Sequence, residues 1–392
     1  MRGHITKRAK DSYTIVLELG SDPATGKRKQ QWVSIKGTKK DAEKRLAELL
    51  HQLDNGMFMK PGKTTLADYL QRWLKDYAWP NLAPRTAEGY ETIIRRHLAP
   101  KLGNILLTQL KPSDIQKYYS EMLSTGRCDS KGSLSPVTVR QHHMALHRAL
   151  HMAVKWGLIS RNPADAIDPP RCQRPEMHIM NEGDIHAFLE AAKSTPYYAL
   201  FYLALFTGMR RSELLALRWE DLDLIMGQIS VNRSLHHLRD KSLVFRTPKT
   251  AKGRRTIALP PSAILVLEEH REKQVAIRLI LGTRLEDGDL VFSRPDGQPL
   301  LPDTVSHAWT KLALRTGLTG VRLHDARHSH ASLMLKQGIH PKIVQERLGH
   351  ASIQVTLDTY SHVAPGLQEA AALRFDEALT AAAKHEPVEV LR

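Results

Sequence analysis

Residues 324–335 read HDARHSHASLML, and residues 348–363 read LGHASIQVTLDTYSHV. The first stretch has helical spacing through Leu333 and Leu335, and positions i, i+3 and i+4 set His324, Arg327 and His328 on one helical face. Two histidines four apart on a helix can hold zinc when a glutamate follows the first of them. Here Asp325 stands in that place, one carbon short, and Arg327 sets a cation beside the would-be metal, so the pattern reads against a metal site. In the second stretch His350 and Tyr360 lie ten residues apart. A lone tyrosine or histidine is usually a core residue; the combination with what lies upstream is what carries information.

Upstream, the apolar run Tyr197–Phe206 reads as a buried helix and leads into residues 208–219, GMRRSELLALRW. A glycine turn there presents Arg210, with Glu213 one turn onward and able to pair with it. Alone such a pair is commonplace and usually inert. Strand-like patterning over about 228–259 follows, with a turn carrying Lys249, Lys252, Arg254 and Arg255 ahead of Thr256-Ile257-Ala258-Leu259-Pro260. A basic hairpin tip suits phosphate contact, and equally a solvated edge guarded against pairing.

Across the 392 residues, 57 Lys and Arg face 41 Asp and Glu, a net charge of +16. That excess points to a polyanion, most often nucleic acid. The two cysteines, Cys128 and Cys172, exclude a disulfide scaffold and a cysteine-ligated zinc module. No apolar run approaches the roughly 18 residues of a membrane span, and the basic N-terminus lacks an apolar stretch for export. There is no GxxxxGK[ST] loop for a nucleotide phosphate.

Residues 1–63 carry +7 of the charge. Tyr13, Ile15, Leu17 and Leu19 alternate as in a strand, Ser21–Gly26 is turn chemistry, and Gln31–Ile35 returns as a second strand with Trp32 as aromatic anchor. Thr38 caps a helix with the apolar stripe Ala42, Leu46, Leu49, Leu50 and Leu53. Lys27, Arg28, Lys29 and Lys36 cluster about the hairpin. Residues 64–160 show helical patterns only: Leu66, Tyr69, Leu70, Trp73 and Leu74; then Ile93, Ile94, His97 and Leu98; then a long helix opened by Ser135-Pro136. On that helix His143, His147 and His151 recur every fourth residue, flanked by Arg140 and Arg148. The stripe is a solvated polar face, a DNA-facing strip, or, least well supported, a metal site, since no carboxylate or cysteine completes it. A proline-rich break marks residues 161–178 as a linker.

The ordered set Arg210, His324-x-x-Arg327, His350 and Tyr360 resembles the tyrosine recombinases, the phage-integrase family. Residues 135–164, SPVTVRQHHMALHRALHMAVKWGLISRNPA, are similar to that family's core-site-binding domain, and the first 60 or so residues resemble the arm-site-binding module of lambda-type and conjugative-transposon integrases. The resemblance implies a multi-domain α+β fold: a β-sheet-plus-helix arm-type module (1–63), an all-α core-binding domain (64–160), a linker (161–178), and a mixed α/β catalytic domain with a C-terminal tail helix (179–392). It also implies transesterification at a DNA phosphodiester. Arg210 and Arg327 would hold the non-bridging oxygens as bidentate donors. Tyr360 would be the nucleophile, His324 its proton acceptor, Lys249 on the hairpin the general acid, with Lys252 as the rival, and His350 a donor to phosphate. Glu213 would orient Arg210, and His328 would support the site. The DNA contacts expected elsewhere are Lys27, Arg28, Lys29, Lys36, Arg140, His147, Arg148, Lys252, Arg254 and Arg255.

Because a phosphotyrosyl bond keeps the energy of the broken ester, neither ATP, metal nor any other cofactor is expected, in contrast to two-metal nucleases. The expected partners are double-stranded DNA at core and arm sites, three further copies in a tetramer, and an excisionase or a host DNA-bending protein; no membrane is involved, and the setting is a bacterial cytoplasm. The tail residues Leu367, Ala371, Phe375, Ala378, Leu379 and Ala382 fall near one helical face and would dock onto a neighbouring protomer. Two other readings share these residues. A type IB topoisomerase uses the same chemistry but has no use for a second DNA address in a basic N-terminal module. A non-catalytic DNA-binding regulator would form no covalent adduct.

Overall fold

The computed structural model describes residues 3–21, 26, 28–54, 63–128, 132–172, 177–247, 253–360 and, in the tail, 372–373, 375–377 and 379–380. The chain divides into two compact units, residues 1–174 and 175–392.

The N-terminal unit opens with an antiparallel sheet of β1 (Gly3–Ala9), β2 (Ser12–Ser21) and β3 (Arg28–Lys36), in that order. Ile15 pairs with Ile5 on one side and Val33 on the other. Ile15 and Leu17 are buried against Leu49 of α1 (Lys39–Asp54), whose first turn is closed by a reciprocal cap between Thr38 and Asp41. Two features depart from the sequence reading. β1 was not foreseen, because an edge strand that tucks in little more than Ile5 and leaves Lys7 and Arg8 in water has no alternation to read. Trp32 is not an anchor: it is 55% exposed, with the Arg8 guanidinium 5.8 Å from its ring centre.

The remainder of this unit is helical. α2 (Leu66–Trp73) and α3 (Trp79–Asn81) are joined by a π turn at Leu74–Ala78. A second π turn at Ile94–Leu98 joins α4 (Pro84–Ile93) to α5 (Ala99–Leu102), and α6 (Pro112–Thr125) and α7 (Pro136–Lys155) follow. Thr65 and Asp68 form a capping box on α2, and Ser135 caps α7 with Pro136 at its first position. Leu66, Trp73, Tyr118, Leu146 and Leu150 meet in the core of these helices.

The C-terminal unit contains α8 (Glu182–Ala192), α9 (Tyr198–Thr207) and the short α10 (Arg211–Leu214). Strands β4 (Leu222–Asp223), β5 (Gln228–Val231), β6 (Ser234–His237), β7 (Leu243–Arg246) and β8 (Arg255–Ala258) follow. Then come α11 (Pro261–Ile280), α12 (Pro302–Arg315), α13 (Leu323–Lys336), α14 (Pro341–Leu348) and α15 (Ile353–Tyr360). The strands form a β4-β5-β8 sheet and a separate β6-β7 hairpin. α9 is apolar all round and buried along nearly its whole length, as a helix at the centre of a domain must be. Its Phe201 interlocks with Phe188 of α8 and Trp309 of α12, whose ring centre lies 4.3 Å from that of Phe188 and 5.1 Å from that of Phe201. No described helix is long and apolar enough to cross a membrane. In the tail, Phe375 and Leu379 are exposed; Leu367, Ala371, Ala378 and Ala382 lie outside the described residues.

Candidate active site

Helix ends build the site. α9 stops at Gly208 (φ +63°), where a Cβ would meet Leu348 at 2.6 Å and His330 at 2.9 Å. α14 stops at Gly349 (φ +67°). Both glycines are left-handed caps, the conformation a side chain resists. Each cap leaves a carbonyl without a helical partner, and Arg327 of α13 takes both: Nη1 donates to Gly208 O at 2.8 Å and Nη2 to Leu348 O at 2.7 Å. Arg327 is 3% exposed. Burial, then the like charge of Arg210, draws its guanidinium down to about 9, so it stays a cation at neutral pH. Arg347 braces the same corner, donating to Phe206 O, Ala258 O and His330 Nε2 at 3.0 Å each, while His330 Nδ1 is 2.9 Å from Leu205 O.

Arg210 lies at the N-terminus of α10. Its backbone N–H donates to Glu213 Oε2 (3.0 Å) and its Nη1 to Oε1 (2.8 Å). Arg255 grips the same carboxylate, Nη2 to Oε2 at 2.8 Å and Nη1 to Oε1 at 3.3 Å, and donates Nε to Arg347 O at 2.7 Å. Burial would raise the Glu213 carboxyl, but Arg255 and then Arg210 outweigh it and hold it below its ordinary value. The Arg210 side chain keeps 39% of its surface open, whereas Arg255 keeps 6%. The expectation that Arg255 touches DNA is therefore corrected: its guanidinium is spent inside the protein. Strand periodicity held the signal, since Arg255 lies two residues from buried Ile257 and so shares its face. Arg254 points the other way and is exposed; Lys249 and Lys252 lie outside the described residues.

Tyr360, the last residue of α15, is 1% exposed. Its hydroxyl is 2.8 Å from His328 Nδ1, and its ring lies near-parallel to His350 at 6.4 Å between centres. Burial pushes the phenol up to about 12, against the pull of Arg327 and Arg210. His350, 9% exposed, shares a 2.8 Å bond between Nδ1 and Thr356 Oγ1; burial and then Arg327 and Arg210 push it down to about 4. His324 is held near 4 by burial and by His328, although the residue as a whole is exposed. Its ring contact is with His328, perpendicular at 4.9 Å. The expected His324–Tyr360 proton contact is thus not what the structure holds: the tyrosine is bonded to His328.

In the N-terminal unit the histidine stripe is not a free polar face. His143 Nδ1 bonds Tyr119 Oη at 2.9 Å and His147 Nε2 bonds Asp165 at 2.7 Å. His142, unremarked in the sequence, is buried with Nδ1 2.8 Å from Tyr118 Oη. The signal was only that Tyr118-Tyr119 and His142-His143 are both adjacent pairs. Arg140 and His151 are exposed. The Arg148 guanidinium is 6.0 Å from the Tyr77 ring centre, and the Tyr77 and Tyr90 side chains beside it hold it above its ordinary value. Lys36 is exposed, Lys27 lies outside the described residues, and the side chains of Arg28 and Lys29 do too. Among the described residues no three His, Cys, Asp or Glu gather where they could hold a metal ion.

Residues 178–366 match the phage integrase family, and residues 65–123 match the N-terminal SAM-like domain of phage integrases. An integrase of Streptomyces ambofaciens is 30% identical over 370 residues, covering 90% of both chains. The Tn1549 transposon integrase in complex with a circular intermediate DNA superposes with a TM-score of 0.67 at 21% identity, over 80% of this chain and all of that one. A lambda integrase tetramer bound to a Holliday junction superposes at 0.56 and 19% identity, over 91% of this chain and 94% of that one. With two arginines, two histidines and a tyrosine gathered on helix ends of the matched region, the chain belongs to the phage integrase family and is a tyrosine recombinase.

Proposed function

We propose that this recombinase cuts and rejoins DNA at specific sites through a 3′-phosphotyrosyl link to Tyr360, inserting and excising a mobile element. The observation that carries the reading is that Tyr360 lies within the field of both Arg327 and Arg210, on one chain, at a site built from its own helix ends. A phosphodiester attacked in line gathers negative charge on its non-bridging oxygens. Arg210, half open and aimed by Glu213, and Arg327, fixed by two carbonyls, are pre-oriented to receive it. Neutral His350, its Nδ1 held by Thr356, offers Nε2 as a further donor. The Tyr360 oxygen bonds to phosphorus as the 5′ oxygen leaves with a proton from Lys249, or from its rival Lys252. Resealing runs the same steps backwards, so the ester energy is kept.

In the finer reading, residues 1–63 bind arm DNA, 64–160 bind core DNA across the 161–178 linker, and 179–392 carry the chemistry. Four copies assemble on two sites, joined by the tail, with an excisionase or a DNA-bending protein as accessory, in a bacterial cytoplasm. The lambda integrase tetramer on a Holliday junction supports the assembly. The exposed Arg140, His151 and Arg254 support phosphate-dominated, salt-sensitive binding. Tyr360→Phe tests the central claim: on a nicked duplex carrying the junction sequence of the chain's own element, binding persists and covalent adduct disappears. An adduct that survives the substitution sinks it.

A further inference from the structure

Tyr360 must lose its phenolic proton to attack, and the structure indicates where that proton first goes. The hydroxyl has one hydrogen-bond partner among the described residues, His328 Nδ1 at 2.8 Å, and the ring is 1% exposed. With no other acceptor in reach among the described residues, the O–H donates to Nδ1, which leaves His328 its own proton on Nε2. His324, the histidine to which the family resemblance gives this task, touches the His328 ring and not the tyrosine.

We propose that His328 is a catalytic residue, the first acceptor of the Tyr360 proton. This rests on Tyr360 being the nucleophile. As the Oη–phosphorus bond forms and the bond from phosphorus to the 5′ oxygen breaks, the phenolic proton crosses to Nδ1. On resealing it returns to Oη when the phosphotyrosyl bond is cut by the 5′ hydroxyl. The charged groups around His328 suit a transient imidazolium. On its own helix Asp325 favours that cation, while Arg322, Arg327 and His324 oppose it; Tyr360 faces it from α15 and His350 from the end of α14. Asp325 is itself fixed, fully buried and gripped by Arg322 at 2.9 Å. The balance is a weak base beside a carboxylate it shares with Arg322, which releases its proton as readily as it takes it.

The test is single-turnover adduct formation by the full chain on the nicked duplex, from about pH 6 to about pH 10, the span over which an imidazole and a phenol take turns as base. His328→Asn keeps an oxygen where Nδ1 was, so the hydrogen bond survives, but it cannot hold the proton. It should bind DNA normally and cleave about 100-fold more slowly near neutrality. Its rate should climb with pH where the parent is level, and a fluorinated, more acidic tyrosine at position 360 should restore most of it. His324→Gln should keep the level profile. The proposal is overturned if His328→Asn matches the parent, if it slows cleavage equally at every pH without recovery by fluorotyrosine, or if the pH signature follows His324→Gln instead. Should the asparagine variant fail to bind DNA, singly fluorinated tyrosine in the otherwise unaltered chain decides. An acid limb that stays put reports His328, and one that moves with the phenol refutes it. Adduct from Tyr360→Phe would instead remove the underlying nucleophile reading.

Discussion

The same pair of groups, a buried tyrosine hydroxyl on a histidine Nδ1, occurs in both units. In the N-terminal unit it ties α6 to α7 twice, Tyr118 to His142 at 2.8 Å and Tyr119 to His143 at 2.9 Å. In the C-terminal unit it joins Tyr360 to His328 at 2.8 Å. Geometry does not separate them; surroundings do. Burial raises Tyr118 and Tyr119 far above an ordinary phenol, and no arginine opposes it. Tyr360 is buried as deeply, yet Arg327 and Arg210 pull it back to about 12. A phenol–imidazole pair is a rivet until cations are set over it; then the oxygen it releases has somewhere to put its charge.

Removing those cations should produce the largest change. Arg327→Lys can satisfy one of the two helix-end carbonyls and loses the planar fork. Losing one pre-oriented donor of this kind costs about 100- to 1,000-fold in rate. Adduct formation should fall by that much while core DNA is still bound, as measured by single-turnover trapping beside a gel shift. A variant that cleaves at the parental rate would show that Arg327 is not what separates Tyr360 from Tyr118.

Acid should strike the N-terminal pair next. His142 is 1% exposed, and burial, helped by neighbouring His97, holds it near 4. A histidine whose folded pKa lies below its unfolded 6.5 binds fewer protons in the native state. Its contribution is intact above about 6.5 and is lost as pH falls from there towards 4, about 3 kcal/mol in all. His142→Asn, which keeps an acceptor for Tyr118, should flatten that part of the stability–pH curve in denaturant melts; an unchanged slope would place the acid sensitivity elsewhere.

Arg255 probes the charge side of the comparison. Arg255→Met leaves Glu213, 5% exposed, with Arg210 alone. Breaking a buried pair outright costs about 3–5 kcal/mol, and with one partner kept the loss should be nearer 2 kcal/mol. Glu213 is depressed in the native chain, so its contribution is present above its unfolded value of about 4.3 and fades below it. In the variant that fading should begin at higher pH. Thermal melts at two pH values check both parts.

What the sequence made legible follows from what kind of signal each feature carries. Arg210, His324, Arg327, His350 and Tyr360 could be picked out because short motifs in fixed order need no tertiary information. α1, α2 and α7 could be read because an amphipathic stripe and a cap are local. β1 could not, since an edge strand has little to hide. The Arg255–Glu213 bond spans 42 residues, and only the β8 alternation hinted at it. Both catalytic-unit histidines of the first α13 turns could be named, but which one reaches Tyr360 depends on how α15 packs, and helical spacing puts the two on one face without choosing.

The smallest effect should come from Tyr118→Phe, the counterpart of Tyr360→Phe in the other unit. The substitution removes one oxygen and keeps the ring, which packs at the centre of the helical core. His142 Nδ1 then loses its partner in a site 1% exposed, and leaving one neutral buried acceptor unpaired costs about 1–2 kcal/mol. Tyr119–His143 still joins α6 to α7, so the helices stay in register and the full chain should melt slightly earlier without losing core DNA. Once bound, its rate of adduct formation should equal the parent's, because neither Arg327 nor Arg210 acts on Tyr118. Tyr360→Phe, which unpairs His328 Nδ1 in the same way, should cost a similar amount of stability and spare binding, but it should end adduct formation. If Tyr118→Phe instead slowed adduct formation in complexes that bind and melt normally, the N-terminal pair would be coupled to the chemistry, and the division between rivet and nucleophile would have to be redrawn.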